Sequence, residues 1–324
     1  MTHRLALVVY PGFELLDACG PASVFSRAND LLRRDGRAPF YTVAMMSPAG
    51  GLVASSGGAT VHTHAMGRRS PASVDTLLIT GGEEAPVRAL IADPVVRRWV
   101  PRCAASSARF GSVCSGVFAL AALGLVHGRC VATHWNASAQ LRDMYPSVNV
   151  NGDALYVVDG NVWTSAGVTT GIDMALAMVG QDVGIAVAGE VAKQLVLYAH
   201  RPGYQSQFSA LLRVQIQADN PFADVIAWSQ TNLDQSLDVA ALAERSGLTE
   251  RTFYRQFVAV MHETPARFVE TLRLDTARLL LAQTLSIKAI AAHVGLSPTA
   301  RFAQAFERRF GVSPTVFRAM HTSV

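Results

Sequence analysis

The C-terminal stretch Leu242-Ala243-Glu244-Arg245-Ser246-Gly247-Leu248-Thr249, with Phe253 and Phe257 after it, returns 48 residues later as Ile290-Ala291-Ala292-His293-Val294-Gly295-Leu296-Ser297, with Phe302 and Phe306 after it. Each copy reads as an apolar-faced helix, a glycine, a short turn and a second helix. Glycine suits the sharp turn because, without a Cβ, it reaches positive φ cheaply. Thr249 and Ser297 stand where the following helix needs an N-cap. The pattern is a helix-turn-helix, whose second helix is the one that enters the major groove of DNA. Written twice in one chain, it is far more specific than a single copy. Between the copies, roughly Pro265 to Gln283, Phe268, Leu272 and Leu279 share one face at helical spacing.

If Phe253 and Phe257 face the core, Glu250, Arg251, Tyr254 and Arg255 face outward. In the second copy Phe302 and Phe306 turn inward and leave Thr299, Ala300, Arg301, Gln304 and Arg308 outside. Arginine bridges guanine with two hydrogen bonds or clamps phosphate, glutamine pairs with adenine, and alanine packs on a thymine methyl. Arg308 and Arg309, late in their helix, are expected to be solvated or to touch phosphate alone.

The excess positive charge follows the same stretch. From Ser236 to Val324 there are 11 Lys and Arg against 7 Asp and Glu, whereas the other 235 residues hold 17 of each sign. The net +4 therefore sits on the doubled motif, as phosphate binding requires. Four charges alone would not separate that from an uneven solvated surface; the motif does. The chain has 324 residues, half of them hydrophobic and 16% charged, which is enough for two ordinary cores and unlike a disordered protein. Cys19, Cys103, Cys114 and Cys130 form no CxxC and no metal-ligand spacing, so no metal, cofactor or disulfide is expected. Val117 to Val126, the longest apolar run, is too short to span a bilayer. No signal peptide precedes the first strand, and a cytoplasmic location with no membrane contact is expected.

The N-terminal part has a different period. Arg4 to Tyr10 is a nearly continuous apolar run, the mark of a strand buried on both faces of a parallel sheet. Further strands are expected at Tyr41 to Met46, a short one at Ala59 to His62, Thr76 to Thr80, Arg109 to Val113, Cys130 to Thr133 and Val162 to Ser165. Helices are expected at Glu14 to Ala28, Asp93 to Ala104, Ser115 to Leu123, Gly171 to Val179 and Ile185 to His200. Strands alternating with helices give a doubly wound, flavodoxin-like α/β domain with a parallel sheet. Arg201-Pro202-Gly203-Tyr204-Gln205-Ser206-Gln207-Phe208 is a breaker-rich linker, and Asn220-Pro221 opens the next helix. The plan is an α/β domain over 1–188, a closing helix and linker over 189–219, and an all-α domain with two helix-turn-helices over 220–324.

Ser112-Val113-Cys114-Ser115-Gly116 puts a cysteine on a strand-to-helix turn, a nucleophile elbow with Ser112 in place of one flanking glycine. A helix start there is expected to favour thiolate over thiol, and nearby N–H groups, with those of Gly81-Gly82, to form an anion-holding edge. Glu14 and Asp17 are read as pocket residues, as first-turn charges of the helix after the first strand, or as both. His134 is the one histidine placed to act as a base for Cys114; a structural, hydrogen-bonded role beside Trp135 fits it better.

These motifs carry two resemblances. Residues 236–320, with Arg273-Leu274-Asp275-Thr276-Ala277-Arg278-Leu279-Leu280 and Phe306-Glu307-Arg308-Arg309-Phe310-Gly311-Val312-Ser313-Pro314, resemble the AraC/XylS family of transcription regulators. His262 departs from that family's usual glycine after the first recognition helix. Residues 4–183 resemble the ThiJ/PfpI, or class I glutamine amidotransferase-like, family, in which an acid at the position of Glu14 touches the elbow cysteine. Tyr10-Pro11-Gly12-Phe13-Glu14-Leu15-Leu16-Asp17, Cys114-Ser115-Gly116, Thr133-His134-Trp135 and Thr164-Ser165-Ala166-Gly167 are similar to its GlxA-type regulator branch. Ser115 replaces the histidine that follows the cysteine in protease-like members, which argues against turnover.

The resemblance implies a regulator that binds double-stranded DNA, dimerises through its α/β domain and takes a small-molecule effector there. Some relatives of this type answer to nitrogen-containing metabolites. Glu14, Asp17, Gly82, Cys114, Ser115 and His134 are the expected effector pocket; Glu250, Arg251, Tyr254, Arg255, Thr299, Ala300, Arg301 and Gln304 are the expected DNA-facing set. No catalytic residue is assigned. The competing expectations are a cysteine-dependent hydratase or hydrolase that carries a DNA-binding module, and an α/β domain that dimerises and senses nothing.

Overall fold

The apolar run that opens the chain becomes β1 (His3–Val8). The computed structural model describes residues 2–197, 201, 203, 207, 221–261, 263–281, 283, 285–310 and 312–321. After β1 come α1 (Leu15–Arg34), β2 (Tyr41–Ser47), β3 (Gly51–Ala54), β4 (Thr60–Ala65), β5 (Thr76–Ile79), α2 (Glu84–Ala92), α3 (Pro94–Ser106), β6 (Arg109–Val113) and α4 (Val117–Ala122). The unit continues with β7 (Cys130–Val131), α5 (Ser138–Met144), β8 (Asn149–Val150), β9 (Tyr156–Asp159), β10 (Val162–Ser165), α6 (Thr170–Val183) and α7 (Ile185–Gln194).

Eight strands form one sheet in the order β3-β4-β2-β1-β5-β6-β10-β9. Every pair is parallel except β3 on β4 and β9 on β10, at the two edges. The central order β2-β1-β5-β6-β10 is the flavodoxin-like one. Alternation along β1 splits the core. Ala6 and Val8 face one cluster with Val87, Leu90, Val96 and Leu120 from α2, α3 and α4. Leu5 and Leu7 face another with Val24 and Phe25 of α1 and Met174, Leu176 and Val179 of α6. Each such side chain stabilises the unit by about 1.5–3 kcal/mol through burial. Double burial explains why β1 and β5 read as apolar runs rather than as alternations; β6 and β10 are as buried but carry Arg109, Ser112, Thr164 and Ser165.

Several expectations change in detail. Cys130 to Thr133 does not join the main sheet. Its first two residues, β7, pair with β8 in a separate two-stranded sheet, because β9 already fills the open edge of β10. Side chains of that edge hold the segment instead: Asp159 accepts from Cys130 N (2.8 Å) and Thr164 from Ala132 N (2.8 Å). Helix α2 was not expected, since Pro86 interrupts its pattern; in the first turn a proline is tolerated. Helix α7 ends at Gln194, and Val196 already has positive φ (55°). Residues 198–200, much of the linker and Asn220 lie outside the described residues, as does His262.

The chain divides into two compact units, Met1–Gln207 and Phe208–Val324. The described part of the second is helical: α8 (Ala223–Thr231), α9 (Val239–Arg245), α10 (Glu250–Met261), α11 (Pro265–Leu281), α12 (Ile287–His293), α13 (Thr299–Phe310) and α14 (Pro314–His321). Helices α9 and α10 make the first helix-turn-helix, α12 and α13 the second. Gly247 and Gly295 have φ of 66° and 65°, and a Cβ on Gly295 would meet Leu233 O at 2.2 Å. Phe222, Phe253, Phe257 and Phe268 pack with ring centroids 5.2–5.6 Å apart around the first motif. Thr249 caps α10, accepting from Thr252 N (3.4 Å). Ser297 does not cap α13. The helix begins at Thr299, and the carbonyl of the intervening Pro298 accepts from Phe302 N (3.2 Å).

Candidate functional site

Four strand ends converge on Cys114. The loop after β1 crosses to the end of β5, where Glu14 N donates to Gly81 O (2.8 Å) and Phe13 bridges Gly82. Ser115 Oγ donates to Gly82 O (2.6 Å) and accepts from Gly82 N (3.0 Å), which ties the ends of β5 and β6 together. Cys114 itself has φ of 58°, a left-handed conformation that costs a non-glycine residue about 1–3 kcal/mol. Its neighbours leave it no choice. A Cβ on Gly81 would lie 2.6 Å from Cys114 Cβ, and one on Gly167, after β10, 2.4 Å. Thr133 Oγ1 donates to the Cys114 carbonyl (3.1 Å).

The acid at the elbow is Asp17, not Glu14. Asp17 is fully buried beside Cys114, a Cβ on Gly81 falling 2.8 Å from Asp17 Oδ2 and 2.6 Å from Cys114 Cβ, and it accepts from Val168 N (2.7 Å) and Gly81 N (3.0 Å). Glu14 is the N-cap of α1: it accepts from Leu16 N (3.3 Å) and from Ser56 Oγ (3.4 Å). Glu14, the cap, lines the cavity, while Asp17 stands in the first turn of α1 and is buried beside the elbow. Asp17, inside the helix, is the one on the cysteine. Burial raises the Asp17 carboxyl to about 6 against the pull of its two backbone donors, and Glu14 adds to the rise. Burial also pushes the Cys114 thiol up to about 12, with the Asp17 charge next in importance. A thiolate favoured by a helix start is therefore overturned. Only a single 3-10 turn (Cys114–Gly116) and the six residues of α4 follow the cysteine, too little aligned dipole to offset desolvation.

Cys114 opens onto a cavity of about 890 Å³ that also meets Glu14, Gly82, Ser115 and His134, five of the six expected pocket residues. Asp17 seals the elbow from behind rather than lining it. Sequence reasoning missed Glu83, the residue before α2, Glu84 and Arg88 within it, and Phe118 and Tyr145, which give the cavity charged and aromatic walls. The pair Glu83-Glu84, directly after Gly81-Gly82, was the available signal. His134 Nδ1 is 2.5 Å from Asn136 Oδ1, and its ring leans on Trp135 at 5.5 Å. Among the described residues no hydrogen bond joins His134 to Cys114, and no group of three or more His, Cys, Asp and Glu is placed to hold a metal ion.

In the helical unit Phe253, Phe257, Phe302 and Phe306 are buried. Glu250, Arg251, Tyr254, Arg255, Ala300, Arg301 and Gln304 are exposed and Thr299 half-buried, so two outward faces of mixed arginine, glutamine and small residues stand free. Arg308 is exposed, as expected, and ion-paired with Glu270. Arg309 differs from expectation: half-buried, it pairs with Asp275 at 3.1 Å and braces α13 against α11. No helix among the described residues is long and apolar enough to cross a membrane.

Residues 3–181 match the DJ-1/PfpI family, and residues 242–320 match a helix-turn-helix domain. The chain is 30% identical to the HTH-type transcriptional regulator CdhR of Pseudomonas aeruginosa, covering 99% of this chain and 93% of that protein. It is 29% identical to the HTH-type transcriptional regulator GlxA of Rhizobium meliloti, covering 98% and 95%. It is also 29% identical to an isonitrile hydratase of Pseudomonas putida, covering 64% of this chain and 83% of the enzyme. The crystal structure of a ThiJ/PfpI family protein from Pseudomonas syringae shares the fold, with a TM-score of 0.55 at 23% identity over 70% of this chain and 87% of that one.

Proposed function

The chain belongs to the DJ-1/PfpI family and carries an AraC-type helix-turn-helix domain, and from this we propose that its α/β unit senses a small molecule while its helical unit reads DNA. It is a DNA-binding transcriptional regulator of the GlxA type. Arg251, Arg255, Arg301 and Gln304 are the residues proposed to read base edges or phosphates, with Glu250, Tyr254, Thr299 and Ala300 completing the two faces. The protein is proposed to work in the cytoplasm as a homodimer, the arrangement that sets paired half-sites on DNA. Sedimentation of the full chain at micromolar concentration, giving a dimer or a monomer, tests that assembly.

The observation that carries the sensing role is the cavity over Cys114, whose thiol burial holds toward its protonated form and to which, among the described residues, no histidine is hydrogen-bonded. A lining with the carboxylates of Glu14 and Glu83, the ion pair Glu84–Arg88, Arg97 and the aromatic rings of Phe118 and Tyr145 suits a small nitrogen-containing metabolite that also carries an anionic group. The chain is therefore proposed not to be an enzyme. A second reading has one observation in its favour: the buried Asp17–Cys114 pair, in a chain similar to a hydratase, is a pairing of acid and thiol that nucleophilic chemistry can use. A thermal-shift screen of small nitrogen-containing metabolites against the full chain separates the two. A regulator is expected to gain stability from a compound that it leaves unconsumed. Repeated conversion of the stabilising compound, lost in Cys114→Ser, would favour the enzyme.

A further inference from the structure

The segment that leaves the α/β unit is fastened on both sides of the Cys114 elbow. Arg201 clasps the start of α6. Its backbone N–H donates to Asp173 Oδ1 (2.9 Å), its Nε and Nη2 donate to Asp173 Oδ2 (3.0 and 2.7 Å), and Nη2 also reaches Thr169 Oγ1 (2.8 Å). Asp173 is 2% exposed, so this is a shielded, charge-assisted clasp. On the other side Gln207 Nε2 donates toward the carbonyls of Thr133 (2.9 Å), Ala154 (3.1 Å) and Gly152 (3.2 Å), and its backbone N–H donates to Asp153 O (3.0 Å). Between the two, Gly203 O accepts from Tyr156 N (3.1 Å).

Each anchor sits one residue from the cavity wall. Thr169 follows Val168, which lines the cavity, gives its N–H to Asp17 and holds φ of 52°. Thr133 precedes His134, also a lining residue, and donates to the Cys114 carbonyl. A β-branched residue at positive φ is strained by about 1–3 kcal/mol, an amount that the binding energy of a ligand favouring a relaxed Val168 would cover. A molecule that presses on Val168 or His134 therefore shifts a partner of Arg201 or of Gln207.

We propose that Arg201 and Gln207 are positioning residues that carry the occupancy of the cavity into the segment leading to the DNA-binding unit, so that operator affinity follows the cavity. This rests on reading the cavity as the effector site. The test uses the full chain and a duplex that the wild type selects from a random-sequence pool. Occupancy is imitated by two independent cavity-filling substitutions, Ala137→Trp and Ile91→Trp, with melting curves to show that each variant folds. At least one filler is expected to change operator affinity by about tenfold, inside the usual range of allosteric coupling. In an Arg201→Met, Gln207→Leu background, basal affinity is expected to stay within about twofold of wild type and the effect of the filler to fall below about twofold, with part of it restored when residue 201 is lysine. Tyr156 amide exchange, guarded by Gly203, is expected to quicken in that background. A filler effect that persists undiminished there overturns the proposal and leaves the effector reading standing. No effect from either folded filler overturns both. Loss of basal binding in the double variant, without the filler, shows a merely structural role and overturns the proposal alone.

Discussion

Asp17 and Cys114 pack side by side against Gly81, where an added Cβ would lie 2.8 Å from Asp17 Oδ2 and 2.6 Å from Cys114 Cβ, and the Gly81 and Val168 amides hold the acid in place. Both groups are held toward their neutral forms by burial. The elbow is thus a floor under the cavity on which burial disfavours charge.

Asp17 gives a pH dependence with a definite sign. Its carboxyl rises from the ordinary 3.8 to about 6 in the fold. The folded state therefore prefers the protonated form, and the stability linked to this group is full below 3.8 and lost as pH rises through about 6. Over that window the group is worth about 3 kcal/mol. Melting curves between pH 5 and pH 7 are expected to show the unit gaining stability from this group as pH falls. Asp17→Asn, although destabilised by losing one acceptor, is expected to show a smaller gain. An identical pH slope in wild type and variant contradicts the assignment.

Gly167 is the second support of the elbow. It combines φ of 98° with a hypothetical Cβ only 2.7 Å from Cys114 Sγ. Gly167→Ala is expected to cost more than about 1 kcal/mol, because strain and overlap add. Chemical denaturation measures it, with Gly36→Ala as the comparison: Gly36 also has positive φ but nothing within 4 Å. Equal losses at the two positions would remove the close approach from the explanation.

How much of this was legible depended on distance along the chain. The helix-turn-helices were readable because each is local: phenylalanines four residues apart fix which face is buried. The doubly buried β1 and β5 were readable as apolar runs. The placement of Cys130 to Thr133 was not, since it depended on β9 having taken the edge of β10, a pairing that strand composition does not reveal. The choice between Glu14 and Asp17 turned on where α1 begins: Glu14 became its cap and Asp17 was turned inward onto Gly81 and Val168. Arg308 and Arg309 look like any basic helix end until Glu270 and Asp275 of α11 are brought beside them.

The two exposed faces of the helical unit give a DNA prediction. Arg251→Ala and Gln304→Ala in the full chain are each expected to cost about 1–3 kcal/mol at a selected site and little at unrelated sequence. A footprint is expected over two major-groove segments on one side of the duplex, about one turn apart. Protection of a single segment contradicts the use of both motifs. Arg308→Ala is expected to loosen α13 from α11 and to weaken binding to all sequences alike.

The central claim is that the cavity over Cys114 senses and does not consume. The most direct measurement is operator binding by the full chain, followed by anisotropy during titration with a compound found in the stabilisation screen, while the same sample is assayed for loss of that compound. We expect a shift in DNA affinity of about 5- to 150-fold, the compound recovered intact, and Cys114→Ser folded, still binding DNA without the compound, and altered in its response. Sustained, Cys114-dependent loss of the compound with no change in DNA affinity would contradict the account.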